Sequence, residues 1–166
     1  LPDALIFALK RACRQKDKFT EECSKVKHRI LSFCHWVMPG IKECFDDPFS
    51  DVARCFFWHF TDPFKAKRAG VQGIRKRLEK GTGKRIESSL LENIYQKVLK
   101  NCKFFEGTEE YLSFKELAEE MRLNLQHLKL MEKLQEKAEK RLETLYKKVH
   151  PEKLIESLPG IGKEVG

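Results

Sequence analysis

The chain has 166 residues, of which 35% are charged and 41% hydrophobic, with only 9 glycines, 6 prolines and a formal net charge of +8. This balance excludes loop-rich β structure and favours long, solvated helices, so we predict an all-α fold. No apolar run reaches the roughly 18 residues that a membrane helix needs and no secretory signal is visible, so we expect a cytoplasmic protein without a membrane partner, whose basic charge favours an anionic one.

Six cysteines raise the question of disulfides or a metal site. A chain of this length can bury an adequate core without disulfides, so we expect reduced, mostly buried thiols. Cys34, Cys44, Cys55 and His59 lack the closely paired spacing of zinc modules, and we predict no metal site in this chain. No Ser-His-Asp or Cys-His arrangement can be recognised either, so no catalytic residue is predicted.

The first long apolar pattern predicts a helix over residues 3–37. Pro2 suits a first helical turn, and Pro39-Gly40 cannot continue a helix. Lys16 alone interrupts the pattern. Its apolar positions follow steps of three and four: Leu5, Leu9, Ala12, Phe19, Cys23, Val26, Ile30, Phe33 and Val37.

The middle of the chain is rich in helix-breaking residues. Asp-Pro pairs and glycines between residues 40 and 85 predict helices of only two or three turns. Residues 52–60 contain so many aromatic side chains that we predict a buried helix there, at the base of a compact subdomain covering 40–105. A further helix is predicted over 86–102.

A second heptad pattern predicts a helix over 109–149. Its members are Phe114, Leu117, Met121, Leu128, Met131, Ala138, Leu142, Leu145 and Val149, with Asn124 and Gln135 as polar positions. A long helix with an apolar seam is poorly stable alone, so the two seams pair with each other or across a dimer. We predict a homo-oligomer, with contacts from Leu117, Met121, Leu128, Met131, Leu142 and Leu145.

Residues 65–85 carry nine lysines and arginines against the single acid Glu79. A surface with this charge would bind the phosphates of DNA or RNA by releasing counterions, and the alternative is a solvated charged face that binds nothing. The predicted contact residues are Lys65, Lys67, Arg68, Arg75, Lys76, Arg77, Lys80, Lys84 and Arg85.

The segment 158–162 reads Leu-Pro-Gly-Ile-Gly. Its glycines permit a tight turn whose backbone N–H groups can face a phosphate, as in the hairpin of a helix-hairpin-helix motif. The alternative is an ordinary turn between helices. We add Gly160, Gly162 and Lys163 to the predicted nucleic-acid contacts.

Six short motifs follow one another along the chain: LKRACRQK at 9–16, KHRIL at 27–31, MPGI at 38–41, FTDP at 60–63, AGV at 69–71 and LPGIG at 158–162. Their order resembles that in the insertion-sequence one-ten family of transposases. Members of that family are related to the Piv invertases and use a bridge RNA. The likeness spans most of the chain.

The resemblance implies a position between two catalytic regions, a preceding RuvC-like domain with a DEDD carboxylate set and a following domain with a catalytic serine. Residues 1–149 would then be a helical linker and coiled-coil domain, and 150–166 the start of a truncated helix-hairpin-helix. It implies a non-catalytic module for oligomerisation and for binding structured RNA and DNA, in a protein that uses a divalent metal such as Mg²⁺ elsewhere. The alternative is a purely structural coiled-coil dimerisation module.

Overall fold

A computed structural model describes residues 2–149 of the chain. Within that range the secondary structure consists of five α-helices and one 3-10 helix, without strands, which confirms the predicted all-α class. The elements are α1 (Pro2–Val37), the 3-10 helix (Lys42–Cys44), α2 (Asp51–Phe60), α3 (Pro63–Thr82), α4 (Ser88–Phe104) and α5 (Phe114–Lys148).

The contacts divide the chain into two compact units. We call the first one the paired-helix unit. Its described residues are 2–26 and 128–149. The second, the middle unit, is Lys27–His127 and contains α2, α3 and α4 complete. Each long helix therefore contributes one part to each unit.

The paired-helix unit holds the start of α1 against the end of α5. Leu9 and Ala12 on α1 form a buried cluster with Leu142 and Tyr146 on α5. Lys16 lies on the same side of α1 one turn later and is only 5% exposed, so the residue that interrupts the apolar pattern still occupies the buried side.

Polar contacts continue this pairing along the two helices. The Gln135 side-chain amide donates to the Thr20 hydroxyl at 3.0 Å, and the Arg141 guanidinium donates to the Gln15 side-chain oxygen at 3.4 Å. Residues later in α1 meet residues earlier in α5, so the two segments run antiparallel.

The middle unit is built on an aromatic core. Phe56 and Phe57 on α2 are fully buried, and the Phe45 ring lies 6.0 Å and 5.8 Å from their centroids. Ser50 caps α2 by accepting a hydrogen bond from the Ala53 N–H at 3.2 Å. The structure thus confirms the prediction of a buried aromatic helix over 52–60.

The glycines of α3 act differently from one another. Gly70 has φ 70° and ψ 177° inside the helix and kinks it into two shorter pieces, as its helix-breaking character predicts. Gly73 and Gly81, by contrast, lie within helical turns, and the helix ends at Thr82, just before Gly83.

Two helices begin later than predicted. Residues 84–87 precede α4, and Glu87 has an extended backbone, although Ile86 is buried and fitted the helical pattern. Residues 106–113 form turns before α5, where the Ser113 hydroxyl accepts a weak hydrogen bond from the Glu116 N–H at 3.4 Å.

Candidate nucleic-acid interface

Most of the predicted basic residues lie on α3, which is capped at both ends. The Phe64 N–H donates to the Asp62 carboxylate at 2.9 Å, and Pro63 occupies the first helical turn, where its missing N–H costs nothing. Gly83 ends the helix in the left-handed conformation, φ 68° and ψ 13°, and its N–H donates to the Glu79 carbonyl at 2.8 Å. The caps fix both ends of α3 and therefore the positions of its basic side chains.

The second piece of α3, after Gly70, separates an apolar side from a basic one. Ile74 and Leu78 are buried in the middle unit. With 3.6 residues per turn, Lys76 and Lys80 project from the opposite side and Arg77 lies at the edge between the two sides, and all three are exposed. We call these three residues the basic face of α3.

Seven of the nine predicted basic residues make no ion pair with any carboxylate in the described part of the chain. The two that do are Arg75, 3.7 Å from Glu79, and Lys84, 3.3 Å from Asp51. The seven are Lys65, Lys67, Arg68, Lys76, Arg77, Lys80 and Arg85, and every one of them is exposed. Their charge is therefore available to an external anion.

Arg75 differs from the other eight predicted basic residues because its guanidinium is hydrogen-bonded within the protein. One terminal nitrogen donates to the Ile86 carbonyl at 2.8 Å, and the other donates to the Ser88 hydroxyl at 2.9 Å. These bonds tie α3 to the start of α4. Arg85 and Glu87 complete an open pocket around them.

Sequence reasoning missed a group of side chains beside α3. The Arg122 guanidinium donates from Nε to the Trp58 carbonyl at 3.0 Å and lies 5.6 Å from the centroid of the Trp58 ring. A terminal nitrogen of Arg122 also pairs with Glu119 at 2.8 Å. Trp58 and Arg122 are 64 positions apart in the chain, and no local motif links them.

His59 follows Trp58 on α2 and faces several cations. Partial burial, together with the charges of Arg77, Lys65 and Arg122, lowers the pKa of its imidazole below the ordinary value. The first two belong to the predicted basic set and the third lies on α5. His59 is thus a titratable group on which the charges of these basic residues act.

Burial makes most of the cysteine thiols less acidic. Burial raises the pKa of Cys34 to about 12, and burial also raises the pKa of Cys13, Cys44 and Cys55. A thiol with a raised pKa is a poor nucleophile and a poor metal ligand. Within residues 2–149, no cluster of three or more His, Cys, Asp or Glu side chains could hold a metal ion.

The predicted oligomerisation residues divide by exposure. Met121 and Leu128 are fully buried, and Leu142 is 5% exposed, all within one chain. Side chains that are buried within one chain have almost no exposed surface with which to contact a second copy of the chain. Leu117, Met131 and Leu145 are partly exposed, and the prediction of an oligomer stays a prediction.

Two further predictions concern the helix-hairpin-helix and membrane helices. Gly160, Gly162 and Lys163, with the whole predicted helix-hairpin-helix, lie outside the described residues. Among residues 2–149, no helix combines the length and the apolar character required to cross a membrane.

Compared with family models, curated proteins and solved structures, the chain matches none.

Proposed function

We propose that this chain is a non-catalytic helical module of a DNA transposase, which binds the phosphate backbone of structured RNA and DNA and takes part in oligomerisation. One observation carries the binding part: seven exposed lysines and arginines on and beside α3 have no carboxylate partner in the described chain. The transposase assignment depends on the sequence resemblance. A divalent metal such as Mg²⁺ would belong to catalytic domains outside this module.

The basic face of α3 sets the expected strength of binding. Each phosphate contact steepens the dependence of log K on log salt by about 0.9 for duplex DNA. Removing two contacts, those of Lys76 and Lys80, would therefore flatten the slope by about 1.8 and weaken binding roughly 60-fold near 0.1 M salt. These two lysines are one helical turn apart on an exposed surface, so neutralising them should leave the fold intact.

The test is a titration of the protein with a hairpin RNA and a duplex DNA at several salt concentrations. The variant Lys76→Gln with Lys80→Gln is compared with the control Lys140→Gln with Lys147→Gln. The control removes the same charge from lysines that are exposed and already paired, with Glu136 at 3.0 Å and Glu143 at 3.4 Å. Equal losses in both variants, or no binding by the unaltered protein at low salt, would refute the assigned surface.

A purely structural dimerisation module is the second candidate, and exposed apolar side chains in the paired-helix unit favour it. Phe7 is 67% exposed and Leu130 is 53% exposed. A second copy of the chain that covered them would bury this apolar area. This candidate predicts a dimer whose mass is unchanged at high salt and which binds neither RNA nor DNA.

A further inference from the structure

His59 lies on α2, close to where α2 packs tightly against α3. A methyl group built on Gly81 would lie 2.6 Å from the Cys55 sulfur, and that sulfur is 3.9 Å from the Arg77 carbonyl oxygen. His59 follows Cys55 by four residues and therefore lies on the same side of α2, one turn further along. The imidazole thus lies on the side of α2 that meets α3 beside Arg77.

A second helix brings another cation to the same place. Arg122 on α5 is anchored to the Trp58 carbonyl and the Trp58 ring, so its guanidinium is held beside the residue that precedes His59. Glu119 engages one of its terminal nitrogens, which leaves the other without a hydrogen-bond partner in the described chain. Arg77 and Lys65 have no carboxylate partner there at all.

We propose that His59, Arg77 and Arg122 form a phosphate-binding site for a nucleic-acid backbone, and that binding there strengthens when the imidazole is protonated. The inference rests on the proposed function and extends its surface from α3 onto α2 and α5. The Arg77 guanidinium supplies an unpaired charge, and Arg122 adds one free terminal nitrogen as a donor suited to phosphate oxygens. The imidazole adds a third charge only when it takes up a proton.

The sign of the pH dependence follows from linkage. Partial burial and the surrounding cations Arg77, Lys65 and Arg122 lower the pKa of His59 in the free protein, while Glu119 is the carboxylate that pairs with one of them. A bound phosphate adds negative charge and raises that pKa. Affinity is therefore greatest below the pKa of the free protein and falls as pH rises through the pKa of the complex, about tenfold for each unit between the two.

The experiment measures hairpin-RNA affinity from about pH 5 to about pH 8, a range around the ordinary imidazole pKa of about 6.5. We expect the unaltered protein to bind more tightly at low pH, and His59→Gln to lose that gain. His35→Gln is the control, because His35 is exposed on α1. Equal pH dependence in His59→Gln and the unaltered protein overturns the site but leaves the proposed function standing. Absence of RNA binding at every pH overturns both.

NMR titration of the histidine ring signals tests the site without a variant. We expect the His59 pKa to lie below 6.5 in the free protein and to rise with hairpin RNA. Inorganic phosphate is the second probe. A rise with RNA at phosphate-group concentrations where inorganic phosphate has no effect supports a backbone site. An equal rise with inorganic phosphate overturns the assignment to nucleic acid, as does a His59 pKa that RNA leaves unchanged.

Discussion

The contact between α2 and α3 can be tested at Gly81, because it positions both Arg77 and His59. Alanine in place of glycine inside a helix normally stabilises by about 0.5–1 kcal/mol. At Gly81 the new methyl would lie 2.6 Å from the Cys55 sulfur. Ordinary contact begins at 3.4 Å, so the two atoms would be 0.8 Å too close. Overpacking of this kind costs roughly 1–3 kcal/mol, so we expect Gly81→Ala to lower the free energy of unfolding by about 1–2 kcal/mol.

Urea unfolding followed by circular dichroism measures this change, with Cys55→Ala as the partner variant. In the Cys55→Ala background the sulfur is gone, and Gly81→Ala should then stabilise by about 0.5–1 kcal/mol. The sign of the alanine effect therefore reverses between the two backgrounds. If Gly81→Ala stabilises the unaltered protein as well, the close approach of α2 to α3 is wrong, and the geometry proposed around His59 loses its basis.

Three other substitutions and one labelling experiment test separate parts of the structure. Arg75→Ala should lower thermal stability by about 1–3 kcal/mol, because it leaves the Ile86 carbonyl without its donor, and unchanged melting would contradict that role. Leu128→Asp places a charge at a fully buried position and should unfold the chain, whereas Leu130→Asp should leave the circular dichroism spectrum unchanged and convert any dimer to a monomer in light scattering. Cys34, with a pKa of about 12, should resist iodoacetamide at pH 8 in mass spectrometry until the protein is unfolded.

Composition predicted the helical class, and periodicity predicted most helix positions. The first helix was predicted over 3–37 and is observed over Pro2–Val37, and a Pro-Gly pair lies close after its carboxyl end. The buried aromatic helix was also found, since adjacent Phe56 and Phe57 cannot both lie on a solvated face. Strong hydrophobic patterns with clear end signals are thus readable from sequence.

The finer features depended on tertiary contacts. The sequence could not distinguish Arg75 from Lys76, although Arg75 bonds to the segment before α4 while Lys76 is exposed without an ion-pair partner in the described chain. Arg122 was not predicted at all, because its partner Trp58 is 64 residues away. Charge density locates a basic segment, but only the folded chain determines which of its side chains remain free and which others join them.

Lys16 has a consequence for how α1 and α5 align in the paired-helix unit. A wholly apolar line of contact would allow one helix to slide past the other by a turn, about 5.4 Å, with little change in buried area. Such a slip would break the Thr20–Gln135 and Gln15–Arg141 hydrogen bonds and bring the nearly buried Lys16 against a different part of α5, so it is unfavourable. These polar positions therefore favour one register of the helix pair, and Lys16 contributes to that choice although it weakens the hydrophobic seam.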